Sequence, residues 1–145
     1  MLNQGSEMLR EQLRILVRNL GILEKSDASC SGITLAQCHA LVEIGRVKRI
    51  SLINLADLLG LDKSTMSRTI NNLVDVELVK RDIDEENRRY VTIQLTDKGV
   101  EVFKSIEDNM SGYYSGIFNS LPENKRDQVL ESLELLVQSI KENKG

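Results

Sequence analysis

The chain has 145 residues, 41% of them hydrophobic and 28% charged, with 22 acids against 19 lysines and arginines. That length suits a single domain of ordinary size plus any oligomer interface. No apolar run approaches the ~20 residues of a membrane span, and the charged N-terminus carries no apolar signal segment, so a cytoplasmic protein with no membrane partner is expected. Two cysteines, Cys30 and Cys38, make no disulfide framework and fit a reducing compartment. Aromatics are 3% and there is one proline, which points to a mostly helical chain. A net charge of −3 excludes a uniformly basic nucleic-acid binder. No third of the chain is strongly charged, so an anion-binding surface has to come from the placement of a few residues.

Leu9, Leu13, Leu16, Leu20 and Leu23 recur at helical spacing, with Arg10, Arg14 and Arg18 on another face. Lys25 to Gly32 breaks that pattern and is expected to be a loop. Thr34 and Gln37 form a capping box for a second helix running to about Arg46. Ser51 caps the next helix, in which Leu52, Leu55, Ala56 and Leu59 face inward, and Gly60 ends it. Asp62 caps a further helix with Met66, Ile70, Leu73 and Val74 on its apolar side. After Leu78 the period changes to that of strands. Val79 to Asp82 and the alternating Val91, Ile93 and Leu95 make a hairpin around the polar Asp84–Arg89 turn. Thr96 caps a long helix with a Phe103, Ile106, Met110, Tyr113, Ile117 stripe. Pro122 opens the last helix, whose inward stripe is Leu130, Leu133, Val137 and Ile140. The fold class expected is mostly α with a small β-wing (α+β). The amphipathic helices at the two chain ends need cover, which either a partner subunit or packing on each other would provide.

The segment from Leu55 to Ile70 carries the functional signal. Small Ala56 admits a crossing helix, Gly60 permits a tight turn, Leu61 plugs the corner, and Met66 and Ile70 pack back. Lys63, Ser64, Thr65, Ser67, Arg68, Asn71 and Asn72 remain outward, with no outward acid before Asp75. Hydrogen-bonding groups with a positive bias suit the major groove, where they read base edges while Lys and Arg hold phosphates. The hairpin follows directly, with Arg88 and Arg89 near its tip. Guanidinium groups there suit the negative potential of the minor groove. The opposing reading is a solvated hairpin whose arginines pair with Asp84, Glu85 and Glu86. A helix-turn-helix followed by a wing is far rarer by chance than either part alone.

In this order of elements the chain resembles the MarR family of bacterial transcriptional regulators over roughly residues 6 to 142. The matching stretches are ITLAQCHAL at 33–41, LADLLGLDKSTMSRTINNLVDVELVKR at 55–81 and DEENRRYVTIQLTDKG at 84–99. The family wing usually reads Asp-Pro-x-Asp-Arg-Arg. Here Glu85 replaces the Pro and Asn87 the second Asp, the residue that normally orients the wing-tip arginine, by position Arg89. The resemblance implies a homodimer built from residues 1–33 and 100–145. It also implies a winged helix-turn-helix over 34–99, with its recognition helix at about 62–76 and its wing at about 79–95. It further implies binding of double-stranded DNA at a pseudo-palindromic operator, repression, and release by a small-molecule or thiol or metal effector.

Cys30, Cys38 and the single histidine, His39, are the soft-ligand residues that lie close together, and they are the candidates for an effector or thiol sensor. Against this, neither Cys-x-x-Cys nor His-x-x-x-His spacing is present, and buried free cysteine is ordinary. No metal site or cofactor is expected. No nucleophile–base pair or phosphate-binding glycine loop appears, so the chain is not expected to be an enzyme. The competing function is a winged-helix protein-interaction module without DNA binding, favoured by the net negative charge and the acidic hairpin.

Overall fold

The computed structural model describes residues 4–30, 32–83 and 91–143, with the side chains of 22–30 excepted. It divides into two compact units, one reaching to Glu107 and one from Asp108 onward.

In the first unit, α1 spans Gln4–Cys30, α2 Leu35–Val47, β1 Ile50–Ser51, α3 Leu52–Leu59, α4 Lys63–Asp75, β2 Val79–Ile83 and β3 Val91–Leu95. Helix α5, Asp97–Ser120, begins here. The expected loop at Lys25–Gly32 is a correction, because α1 stays helical through Cys30. Residues 25–30 hold neither Pro nor Gly, and Ser, Asp and Ala cost a helix at most a few tenths of a kcal/mol each, roughly. The loss of apolar periodicity marks the end of the apolar stripe and not of the helix.

Local chemistry sets the other boundaries. Thr34 Oγ1 accepts the Gln37 amide at 3.2 Å while the Gln37 side chain accepts the Thr34 amide at 3.0 Å, closing the capping box. Ser51 accepts the Asn54 amide at 3.1 Å and starts α3. Gly60 stops α3 at φ +66, a left-handed conformation that costs glycine little, and its amide and that of Leu61 turn back to the Ala56 carbonyl.

The sheet has strand order β1-β3-β2 and is antiparallel throughout, with Val79 opposite Leu95 and Ile83 opposite Val91. The two-residue β1 is an addition to the expected hairpin; it sets Ser51 opposite Thr92. The core lies beneath these elements. Leu41 and Ile44 of α2, Leu55 of α3, and Met66, Ile70 and Leu73 of α4 meet Val79, Ile93 and Ile106, all of them buried. Leu52, Leu59, Leu61 and Val74 are half-buried at its rim.

The second unit holds the rest of α5, a 3-10 turn at Glu123–Lys125, and α6, Arg126–Glu142. Pro122 precedes that turn, so α6 starts later than Pro122 alone implied. Arg126 stabilises the corner. Its guanidinium lies 5.3 Å from the Phe118 ring centre and donates to the carbonyls of Asn119 and Leu121. The stripe expected to face inward on α6 is exposed in the single chain: Leu130, Leu133, Val137 and Ile140 are each 43% exposed or more. Tyr113 and Ile117 of α5 are exposed as well, as are Leu9 and Leu16 of α1 in the first unit. The apolar period is real, and it continues past the buried Ile106 and the half-buried Leu13, Leu20, Phe103 and Met110 into these exposed positions. Among the described residues no helix is long and apolar enough to cross a membrane.

Candidate nucleic-acid interface

Helix α4 is anchored on one side and open on the other. Met66, Ile70 and Leu73 are at most 1% exposed, which fixes the rotation of the helix about its own axis. Lys63, Ser64, Arg68, Asn71 and Asn72 are all exposed, and their spacing of three and four places them on adjoining rows of one face. Ser67 and Thr65 are half-buried at the edge of that face. A shallow depression runs along it, lined by Lys63, Ser64, Ser67, Arg68 and Asn71, with Leu52 of α3 as its apolar wall. Leu52 read from the sequence only as an inward residue, and its edge position becomes visible once α3 and α4 cross.

The start of α4 is held by Asp62. Its carboxylate accepts the Thr65 amide at 2.7 Å and the Thr65 hydroxyl at 3.0 Å. These bonds, the amide's first, hold the Asp62 carboxyl below its usual value of 3.8, with a smaller contribution from the positive charge of Arg68. The acid is therefore charged, and it is occupied with the helix end. Thr65 spends its donor on Asp62, so of the two adjacent hydroxyls Ser64 is the one turned outward. Thr69 is buried, and its hydroxyl returns to the Thr65 carbonyl at 3.0 Å.

The wing strands sit directly after α4. Leu78 and Val79 are buried where β2 begins, and Lys80 and Arg81 are exposed farther along it. Thr96 ties the wing to α5 by donating to the Glu77 carbonyl at 2.6 Å and accepting the Gly99 amide at 3.0 Å. Arg88 and Arg89 lie outside the described residues. Sequence reading missed Arg49, which follows α2 and reaches across the sheet. Its Nε donates to Thr92 Oγ1 at 3.0 Å, and its Nη2 donates to the Asp82 carboxylate.

Two of the three sensor candidates, Cys38 and His39, have described side chains. Cys38 is buried in the core beside Leu41, whereas its neighbour His39 is exposed. Cys30 is the last residue of α1, not a loop residue, and its side chain lies outside the described residues. Among the described residues no three His, Cys, Asp or Glu side chains gather as metal ligands.

Residues 33–91 match the model of the MarR family. Over that stretch the winged helix of this chain is similar to MarR-family domains. A curated relative, the HTH-type transcriptional regulator BilQ of Clostridium symbiosum (strain WAL-14163), is 24% identical over 112 residues, covering 77% of this chain and 78% of its own. The crystal structure of a MarR transcriptional regulator from Methanosarcina mazei Go1 superposes with a TM-score of 0.81 at 28% identity, over 94% of this chain and 98% of that one. Streptococcus pneumoniae FabT, solved in complex with DNA, shares the fold with a TM-score of 0.86 at 20% identity, over 96% and 99% of the two chains. The MarR-family match ends at Val91, so it takes in α2 through the wing connection and leaves out α5 and α6.

Proposed function

We propose that this chain is a MarR-family, sequence-specific DNA-binding transcriptional regulator, a repressor that works as a homodimer on a pseudo-palindromic operator. The observation that carries the reading is the division of α4. One side is sealed into the core, while Lys63, Ser64, Arg68, Asn71 and Asn72 share the exposed side. Donors and acceptors on a rigid helix face suit base edges in the major groove, and Lys63 and Arg68 suit phosphates. The wing arginines Arg88 and Arg89 belong to the same reading as minor-groove contacts.

The dimer rests on a separate observation. Leu130, Leu133, Val137 and Ile140 form an exposed apolar stripe on α6, and Leu9 and Leu16 are exposed on α1. Faces of that kind are stabilised by burial against a second copy, at ~25 cal/mol for each Å² removed from water. Residues 1–33 and 100–145 are assigned to that interface, and 34–99 to DNA. Two recognition helices about 34 Å apart would meet half-sites one helical turn apart.

Release by an effector completes the reading. Burial of Cys38 shields its thiol from oxidants, which favours a small molecule over thiol chemistry as the signal. Replacing Cys38 by Ser should leave release unchanged.

The test is titration of the wild-type protein against a fluorescein-labelled duplex selected from a random pool by the protein itself. Tight binding that weakens steeply with salt is expected, because each phosphate contact releases counterions. Absence of salt-dependent binding to any duplex would favour the protein-interaction reading instead.

A further inference from the structure

Arg49 makes two contacts that the fold does not otherwise require. It lies at the turn out of α2, just after Lys48, whose φ of +72 reverses the chain, and just before the edge strand β1. From that edge its side chain crosses β3, where Nε meets Thr92 Oγ1 at 3.0 Å, and ends on the Asp82 carboxylate of β2. Thr92 stands opposite both Ser51 and Asp82, so these residues form one row across all three strands. Cross-strand neighbours in such a row point to the same face of the sheet. One guanidinium therefore ties the edge strand to both strands of the hairpin. The Arg49 and Asp82 side chains are 55% and 52% exposed, so the pair adds little to the buried core. Its effect falls on the direction in which the two long strands leave the sheet.

We propose that Arg49 is a positioning residue for the wing, bridging Thr92 and Asp82 so that β2 and β3 are held at a fixed angle to the recognition helix. The proposal rests on the DNA-binding reading above. It reverses a simple electrostatic expectation. Removing the acid Asp82 from a surface that meets phosphates should tighten binding if charge alone counted. With the clamp, loss of Asp82 weakens binding, because the guanidinium loses its anchor.

The experiment measures anisotropy of the same selected duplex with Arg49→Gln, Asp82→Asn, the double variant and Asp82→Glu, together with thermal unfolding of each. Arg49→Gln and Asp82→Asn should each weaken binding about threefold or more, within the range of an exposed pair counted in two subunits. The double variant should be no weaker than the worse single, and Asp82→Glu should restore affinity by remaking the pair. Unfolding temperatures should stay together. Tighter binding by Asp82→Asn beside weaker binding by Arg49→Gln would make Arg49 a phosphate contact and overturn the proposal. Unchanged affinities beside a binding wild type would overturn it too, as would losses that track falling unfolding temperatures. A wild type that binds no duplex refutes the DNA reading, and the clamp's role with it.

Discussion

Replacing Gly99 by Ala isolates how closely α5 approaches the base of the wing. A methyl group on Gly99 would sit 2.0 Å from the Leu78 carbonyl oxygen, 3.0 Å from its carbon and 3.2 Å from Leu95 Cβ. Ordinary contact begins near 3.4 Å, so the start of β2 would have to retreat by about 1.4 Å. The obstacle is backbone, and no rotamer change relieves it. Leu78 and Val79 are 3% and 2% exposed, so the retreat disturbs packed core. The Leu78 carbonyl also accepts the Thr96 amide at 3.1 Å, a bond the shift would stretch or break. Overpacking costs about 1–3 kcal/mol, and an orphaned buried carbonyl a further ~1–3 kcal/mol. Helix propensity alone would give the opposite sign, since Ala in a helix is favoured over Gly by about 1 kcal/mol. The net expectation is a loss of about 2–4 kcal/mol, which lowers the unfolding temperature by roughly 10 °C. Far-UV circular dichroism at fixed protein concentration measures it. A Gly99→Ala variant that melts at or above the wild-type temperature would refute the close approach.

Other outcomes follow from single positions. Glu77 ends α4 with φ +63, a conformation that favours glycine, so Glu77→Gly should stabilise by about 0.5–1 kcal/mol in urea unfolding. Its carbonyl still accepts from Thr96 in that variant. Asp62 has its folded pKa depressed, so the stability it contributes is present above its unfolded value and lost as pH falls through the folded one. Asp62→Asn should therefore be less stable than wild type at neutral pH, with the gap closing below about pH 3.8 in a pH series of thermal melts. Ser64→Ala should change the sequence recovered by selection from a random duplex pool. Thr65→Val, whose parent hydroxyl is engaged by Asp62, should change it less.

What was legible in the sequence was what is local. The Thr34–Gln37 box, the Ser51 and Asp62 caps, the Gly60 stop and the alternation of Val91, Ile93 and Leu95 each span a few residues, and each has the expected geometry. The outward face of α4 followed from helical period alone. The rest depends on pairs far apart in the chain. Strand β1 is two residues long, too short for any period, and exists because β3 pairs with it. Arg49 meets Asp82 and Thr92 across separations of 33 and 43 residues, so neither neighbour hints at the other. Gly99 reads as an indifferent helix residue until Leu78 is laid against it. At Lys25–Cys30 composition misled, because polar residues without Gly or Pro do not end a helix.

Methylation interference at guanine N7 and adenine N3 on the selected duplex tests most directly whether paired α4 helices enter major grooves. N7 lies in the major groove and N3 in the minor groove. Two clusters of N7 interference about 10 base pairs apart are expected, with Arg68→Ala weakening binding at both. Interference confined to N3, a single N7 cluster, or full affinity in Arg68→Ala would contradict the account.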